Sequence, residues 1–176
     1  MVDAMNIVWK FVKHNDVREE LSIIANIKDQ HWTHGILSQI DWIHKNIDSE
    51  DIHLMGFDND SSELVAYMAI MNVEAIISNL SFSFLGFSNV CVDKRFTKEG
   101  IGSRLVTQAN KYIIENNKTG ILLCRDSLVG FYEKNGWNLL VYKEAYIKDS
   151  PYEKNVMLFN EPSMPNGCSI RISKNF

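Results

Sequence analysis

Residues 84–124 constrain the fold most, because the hydrophobic period changes twice along them. A β-type run ends at Val92 and a polar loop follows. Residues 100–116 then place Ile101, Leu105, Val106, Ala109, Tyr112 and Ile113 on one helical stripe. Asn116-Asn117-Lys118-Thr119-Gly120 stops that helix, and Ile121–Cys124 is a short apolar strand. Strand, helix and strand in that order predict two parallel neighbours joined by a right-handed crossover. Upstream, Ile52–Phe57 reads as a short strand and Leu64–Ile77 and Ser81–Val92 as long ones, with Asp58-Asn59-Asp60-Ser61-Ser62 as a turn. These three predict an antiparallel meander. The sheet is therefore mixed and the fold class α/β.

Elsewhere the pattern is simpler. Ile7–Val12 alternates as a first strand. Residues 15–47 read as helical, with Trp32, Ile36, Ile40, Ile43 and Ile47 recurring every three or four positions and Gly35 weakening the pattern locally. A further helix runs from about Ser127 to Asn135, closed by Gly136. Trp137–Ile147 and Asn155–Asn160 alternate as the last strands. The length of 176 residues predicts one domain over 1–162. A tail over 163–176 is left, either loose or adding an edge strand through Ser169–Ser173.

Composition excludes several classes. With 45% apolar and 23% charged residues, the chain can bury an ordinary core. No apolar run approaches the length of about 18 residues that a membrane span needs, and the start lacks a basic stretch and long apolar core, so no secretory signal is expected. Cys91, Cys124 and Cys168 are an odd set with no metal-like spacing, which predicts reduced thiols and a cytoplasmic protein. Residues 1–88 carry five basic against thirteen acidic side chains, and residues 89–176 carry thirteen against nine. No dense basic cluster suits duplex nucleic acid. An acidic front half and a basic back half suit a cationic ligand meeting an anionic one, and they equally describe solvated surface charge.

The chemistry concentrates in VCVDKRFTKEGIGSRL, residues 90–105. Gly100-Ile101-Gly102 opens the helix without a Cβ at either glycine, so a ligand can approach the main chain. First-turn amides have no intrahelical acceptor and lie at the positive end of the helix dipole, an arrangement that binds phosphate. Lys94, Arg95, Lys98 and Arg104 add charge nearby. Alone, the pair of glycines equally describes a plain helix start. A dinucleotide fingerprint is disfavoured, because Leu105 stands where the third glycine belongs.

The second stretch, DSLVGFYEKNGW over residues 126–137, gives the loop its context. Together, the glycines Gly100 and Gly102 and the run Phe131-Tyr132-Glu133-Lys134-Asn135-Gly136-Trp137 make the chain resemble the GNAT superfamily of acetyl-coenzyme A-dependent N-acetyltransferases. The order of elements over residues 7–160 agrees. Two positions depart from the family pattern: Thr97 stands where Arg or Gln is usual, and Arg125 falls near the usual Asn after the fifth strand.

The resemblance implies an acyl-CoA N-acyltransferase fold, with a mostly antiparallel sheet, one parallel splayed strand pair and helices on both faces. It implies that Val90, Cys91 and Val92 pair their main chain with the pantetheine arm, and that Thr97, Lys98, Glu99, Gly100, Ile101, Gly102 and Ser103 hold the pyrophosphate. A backbone amide near Val92 would stabilise the oxyanion, and Tyr132 would protonate the leaving thiolate. Transfer would be direct, with no acyl-enzyme. Glu74 is the first candidate base, with Asp93 and Asp126 as rivals; Trp32 and His34 are candidates for the acceptor pocket. His31 and His34 lie one turn apart, but no acidic or Cys set accompanies them, so no metal is expected. Cys91, in a strand of valines, reads as core.

The expected acceptor is a small, cationic amine. A protein lysine or N-terminal amine is the alternative acceptor. A non-catalytic acyl-coenzyme A sensor is the alternative class, supported only by Thr97 and Arg125. No nucleic acid or membrane partner is expected, and the chain is read as a monomer or homodimer.

Overall fold

The computed structural model describes residues 5–161, 164 and 167–176. Its elements are β1 (Ile7–Lys13), α1 (Glu20–Asp29), α2 (Ile36–Asn46), β2 (Ile52–Asp58), β3 (Leu64–Ile77), β4 (Leu80–Val92), α3 (Ile101–Glu115), β5 (Thr119–Cys124), α4 (Asp126–Lys134), β6 (Asn138–Leu139), β7 (Tyr142–Ile147), β8 (Ser150–Pro151), β9 (Asn155–Phe159) and β10 (Cys168–Ile172). The strands belong to one mixed sheet, ordered β6-β9-β5-β4-β3-β10-β7-β8, with β2 pairing β1 and β3. The chain's contacts group into two compact units, residues 1–71 with 88–108 and residues 72–87 with 109–176.

In the first unit β1 pairs antiparallel with β2, and β2 with the start of β3. The segment 15–47, expected as continuous helix, divides into α1 and α2. Gly35 has φ +87°, a left-handed value that a helix cannot pass through, and its N–H donates to the Asp29 carboxylate at 2.7 Å. The two helices bury Ile24, Ile27 and Ile43 on their inner stripes.

In the second unit β4 and β5 are parallel, from Phe84↔Thr119 to Phe87↔Leu122, as the strand–helix–strand pattern predicts. β9 closes antiparallel on β5, from Gly120↔Phe159 to Cys124↔Asn155. The expected strand Trp137–Ile147 is broken into β6 and β7, because Leu140 turns inward and its N–H donates to Val156 O at 2.9 Å. The expected tail or edge strand is an interior strand: β10 pairs antiparallel with β3 and parallel with β7. Ile170 and Ile172 are buried there, and alternation alone cannot tell one ladder from two. The boundary at 162/163 falls on residues outside the described set.

Candidate active site

The glycine loop belongs to the first unit. The β4–β5 ladder ends at Phe87↔Leu122, while β4 continues through Ser88–Val92. Asn89 takes φ +54°, a left-handed residue within a strand, so the extended path of β4 is interrupted there. Val90 and Val92 are half-buried and Cys91 is buried, its thiol pushed up to about 12 by burial. Beyond Val92, Lys98 has φ +71° and Gly100 φ +76° before α3 begins. A Cβ built on Gly100 meets nothing within 4 Å, so the main chain there borders open space. Thr97, Lys98, Glu99 and Gly100 are exposed. The arrangement fits a phosphate cradle, with main-chain amides at a helix start and no side chain in the way.

Two of the four cations assigned to this loop are already engaged. The Arg95 guanidinium forks onto Asp93, with Nε donating to Oδ1 and Nη2 to Oδ2, each at 3.1 Å, and Nη2 also reaches Glu63 Oε2 at 3.0 Å. Arg104 Nη1 donates to the Met5 carbonyl at 2.7 Å. Thr97, in place of the usual Arg or Gln, donates its hydroxyl to Lys94 O at 3.0 Å.

The end of α1 comes to the same place. His31 Nε2 lies 2.7 Å from Val92 O, and Gln30 Nε2 donates to Asp93 Oδ2 at 3.2 Å. Gln30 Oε1 accepts from Lys94 N at 2.9 Å. Burial works to raise the Asp93 carboxyl, but hydrogen bonds from Arg95 and Gln30 outweigh it and hold the group below the usual carboxylate range. Gln30 carried no sequence signal, since its partners lie far along the chain. Of the acceptor candidates, Trp32 and His34 are exposed, and neither has a side-chain hydrogen bond with the loop; His31 is the histidine that meets β4.

The run from Phe131 to Trp137 is held by its packing. Gly136, with φ +87°, ends α4, and Trp137 then inserts fully into the second unit. Its ring lies 4.6 Å from Phe87 and 5.5 Å from Phe159, and its Nε1 donates to Asn110 Oδ1 at 3.0 Å. Gly120 makes this seat possible: a Cβ there would stand 2.6 Å from Trp137 Cη2. Tyr132 is 5% exposed, flanked by Phe131 and Trp137. Burial, with Cys124 adding to it, raises its phenol above the ordinary value, so it stays protonated at neutral pH.

Glu74 lies in the second unit, where a hollow of about 600 Å³ also exposes Lys148, Asp149 and Arg171. Its main chain is fixed by Ser173, whose N–H donates to Glu74 O at 2.8 Å. Asp126 accepts from Asn155 Nδ2 at 2.7 Å, and that Asn155 also reaches Cys124 O, next to Arg125. Among the described residues no group of three or more His, Cys, Asp or Glu could hold a metal ion, and no helix is long and apolar enough to cross a membrane.

The fold has known counterparts. The sequence profile of the acetyltransferase (GNAT) domain matches residues 51–139, which spans β2 through β6. ElaA from Escherichia coli superposes with a TM-score of 0.64 at 20% identity, over 88% of this chain and 100% of that one. The GNAT family N-acetyltransferase YhbS from Escherichia coli, solved in complex with CoA, superposes at 0.67 and 13% identity, over 96% and 90%. A GNAT family acetyltransferase from Brucella melitensis, solved in complex with acetyl-CoA, gives 0.59 and 15%, over 91% and 93%. At these identities the likeness is one of fold, and the profile match over more than half the chain carries the relationship. The chain belongs to the GNAT acetyltransferase family.

Proposed function

We propose that this acetyltransferase moves an acetyl group from acetyl-coenzyme A directly to the amine nitrogen of a small cationic acceptor. The observation that supports it most is the left-handed backbone at Lys98 and Gly100, bordering open space where α3 begins. Acetyl-coenzyme A supplies the activated thioester. The main chain of Val90, Cys91 and Val92 holds the pantetheine arm as an added strand would be held. Residues 97–103 hold the pyrophosphate through amides, and Lys94 and Lys98 supply charge that Arg95 and Arg104 spend elsewhere.

Tyr132 keeps its proton at neutral pH and is the donor to the departing sulfur. Only a neutral amine attacks, so the acceptor's ammonium must first lose a proton. Of the three carboxylates considered for that task, Asp93 is spent on Arg95 and Gln30, and Asp126 on Asn155. Glu74 is the one whose carboxylate makes no hydrogen bond among the described residues, and it is our base. Trp32, His34 and the acidic front half form the acceptor side, which accounts for the preference for a cation. The three cysteines are buried and unbridged, which fits a reducing, cytoplasmic setting.

The test is release of free coenzyme A thiol across a panel of small amines, with Tyr132→Phe beside the wild type. Turnover of the variant should fall by about a hundredfold, the lower range for general acid catalysis, while coenzyme A affinity stays within about twofold because the pyrophosphate and pantetheine contacts proposed for residues 90–103 are left in place. An unchanged rate removes Tyr132 from the reaction, and no transfer to any amine removes the proposed activity.

A further inference from the structure

We propose that Gln30, Asp93 and Arg95 are positioning residues that set the coenzyme loop in its phosphate-binding shape, with Arg95 acting through Asp93 rather than on a phosphate. The proposal rests on the acetyl-coenzyme A reading above. It starts from the path of the chain between β4 and α3, where one residue after another is fastened. The Val92–Asp93 peptide is held on both sides: its carbonyl lies 2.7 Å from His31 Nε2, and its N–H donates to Val65 O at 2.9 Å. The next N–H, that of Lys94, donates to Gln30 Oε1, and the next, that of Arg95, donates to Asp93 Oδ1, both at 2.9 Å. Phe96 N–H donates to Asp93 O at 2.9 Å.

Asp93 is the centre of this set. Its carboxylate is almost wholly buried and accepts from Arg95 N, Nε and Nη2 and from Gln30 Nε2. A buried carboxylate is tolerated when its oxygens are satisfied in this way. The planar guanidinium gives two parallel bonds with fixed direction, so the side chain fixes the turn that Arg95 itself begins. Glu63 holds the outer edge of the same guanidinium at 3.0 Å. A cation with two carboxylates on it has little net charge left for a phosphate. The fastened run ends at Phe96, and the exposed stretch 97–100, with its left-handed Lys98 and Gly100, is what remains to meet a ligand. Fixing the chain up to Phe96 in advance sets where that stretch starts and spares the ligand-binding step part of the entropy of ordering it.

The two roles for Arg95 give opposite signs when Asp93 is altered. Coenzyme A and pantetheine, which lacks the pyrophosphate, are titrated calorimetrically into the wild type, Arg95→Ala, Arg95→Lys, Asp93→Asn, the Arg95→Ala/Asp93→Asn double variant and Gln30→Ala. The wild type should bind coenzyme A. Arg95→Ala and Asp93→Asn should each weaken it by about tenfold, and the double variant by no more than about twofold beyond the worse single, since both remove one device. Arg95→Lys should fail to restore binding, because a point charge cannot fork. Pantetheine affinity should stay within about twofold throughout, which a general loss of structure would not allow. Should Asp93→Asn fail to fold, Gln30→Ala carries the test with a smaller loss in the same direction. Asp93→Asn binding coenzyme A as tightly as the wild type or more tightly, with Arg95→Ala weakened and Arg95→Lys restored, would place Arg95 on the phosphate and overturn the proposal. Unchanged binding in every variant overturns it as well. A wild type that binds no coenzyme A sinks the underlying reading, and this proposal with it.

Discussion

Lys28 offers the sharpest quantitative prediction. It lies on α1, 1% exposed, with no hydrogen bond to Nζ, and its ammonium stands 4.2 Å from the centroid of the Trp42 ring. Burial lowers its pKa from 10.5 to about 8, with Cys91 opposing slightly. That depression corresponds to roughly 3 kcal/mol against the charged form, and the cation–π contact returns up to about 2 kcal/mol of it. Lys28→Met keeps an unbranched chain of similar length without the charge. The variant should therefore be more stable than the wild type at pH 7, by about 1–3 kcal/mol. The sign of the pH dependence follows from the lowered pKa. Between about pH 8 and 10.5 the unfolded wild type binds more protons at Lys28 than the folded one, so this residue's contribution to stability rises with pH. The variant lacks that rise, and its advantage should shrink towards pH 10. The difference between the two proteins cancels the opposite trend from the buried Tyr67 and Tyr132, whose raised values are common to both, and Cys91, raised by burial and held down only by Lys28, keeps its proton in both. Urea unfolding followed by circular dichroism at pH 7 and pH 10 reads both terms. A variant less stable at pH 7, with a gap that does not change by pH 10, would mean that Nζ makes a favourable contact and would refute the reasoning.

Three further perturbations probe other parts of the molecule. Gly100→Ala puts a Cβ at φ +76° into open space, so folding should lose only about 1–2 kcal/mol of left-handed strain; coenzyme A affinity should fall by more than tenfold if phosphate closes on that main chain, and calorimetry beside a thermal melt separates the two. Gly120→Ala drives a Cβ to 2.6 Å from Trp137 Cη2 and 2.7 Å from Ile113 Cδ1, and should cost about 1–3 kcal/mol in urea unfolding; adding Trp137→Phe removes the Cη2 clash, so the double variant should lose less than the two singles together. Glu74→Gln should leave coenzyme A binding intact and shift the pH–rate profile for a cationic amine to higher pH; an unmoved profile would assign deprotonation to solvent.

What could be read from the sequence, and what could not, divides by the distance over which each cause acts. The change of period through residues 84–124 is local, and it predicts β4, α3, β5 and their parallel ladder within a residue or two. Gly136 is likewise a local signal and ends α4 where expected. The break between α1 and α2 was half visible: Gly35 weakens a helix, but the Asp29 carboxylate that accepts its N–H decides the turn. The interior place of β10 could not be seen at all, because Ile170 and Ile172 alternate the same way at an edge or between two partners.

The site divides along the same line. The glycine loop is written in consecutive residues, and its left-handed positions fall where glycine and a polar loop allow them. The charge around it is not. Four basic residues stand near the glycines in sequence, yet Arg95 is taken by Asp93, two residues away, and by Glu63 in another strand hairpin, while Arg104 is taken by the Met5 carbonyl. Asp93 is close enough to have raised the question, since an Asp two residues before an Arg can fold back on it. Glu63 and Gln30 could not, being brought there only by the fold. A count of cations beside a phosphate loop is therefore an upper bound, and the charge that a ligand meets is what remains after neighbouring carboxylates and carbonyls have been served. Here that remainder is Lys94 and Lys98; on the proposed reading most of the binding then falls to main-chain amides, and the buried Asp93 fork is the device that would hold their geometry in advance.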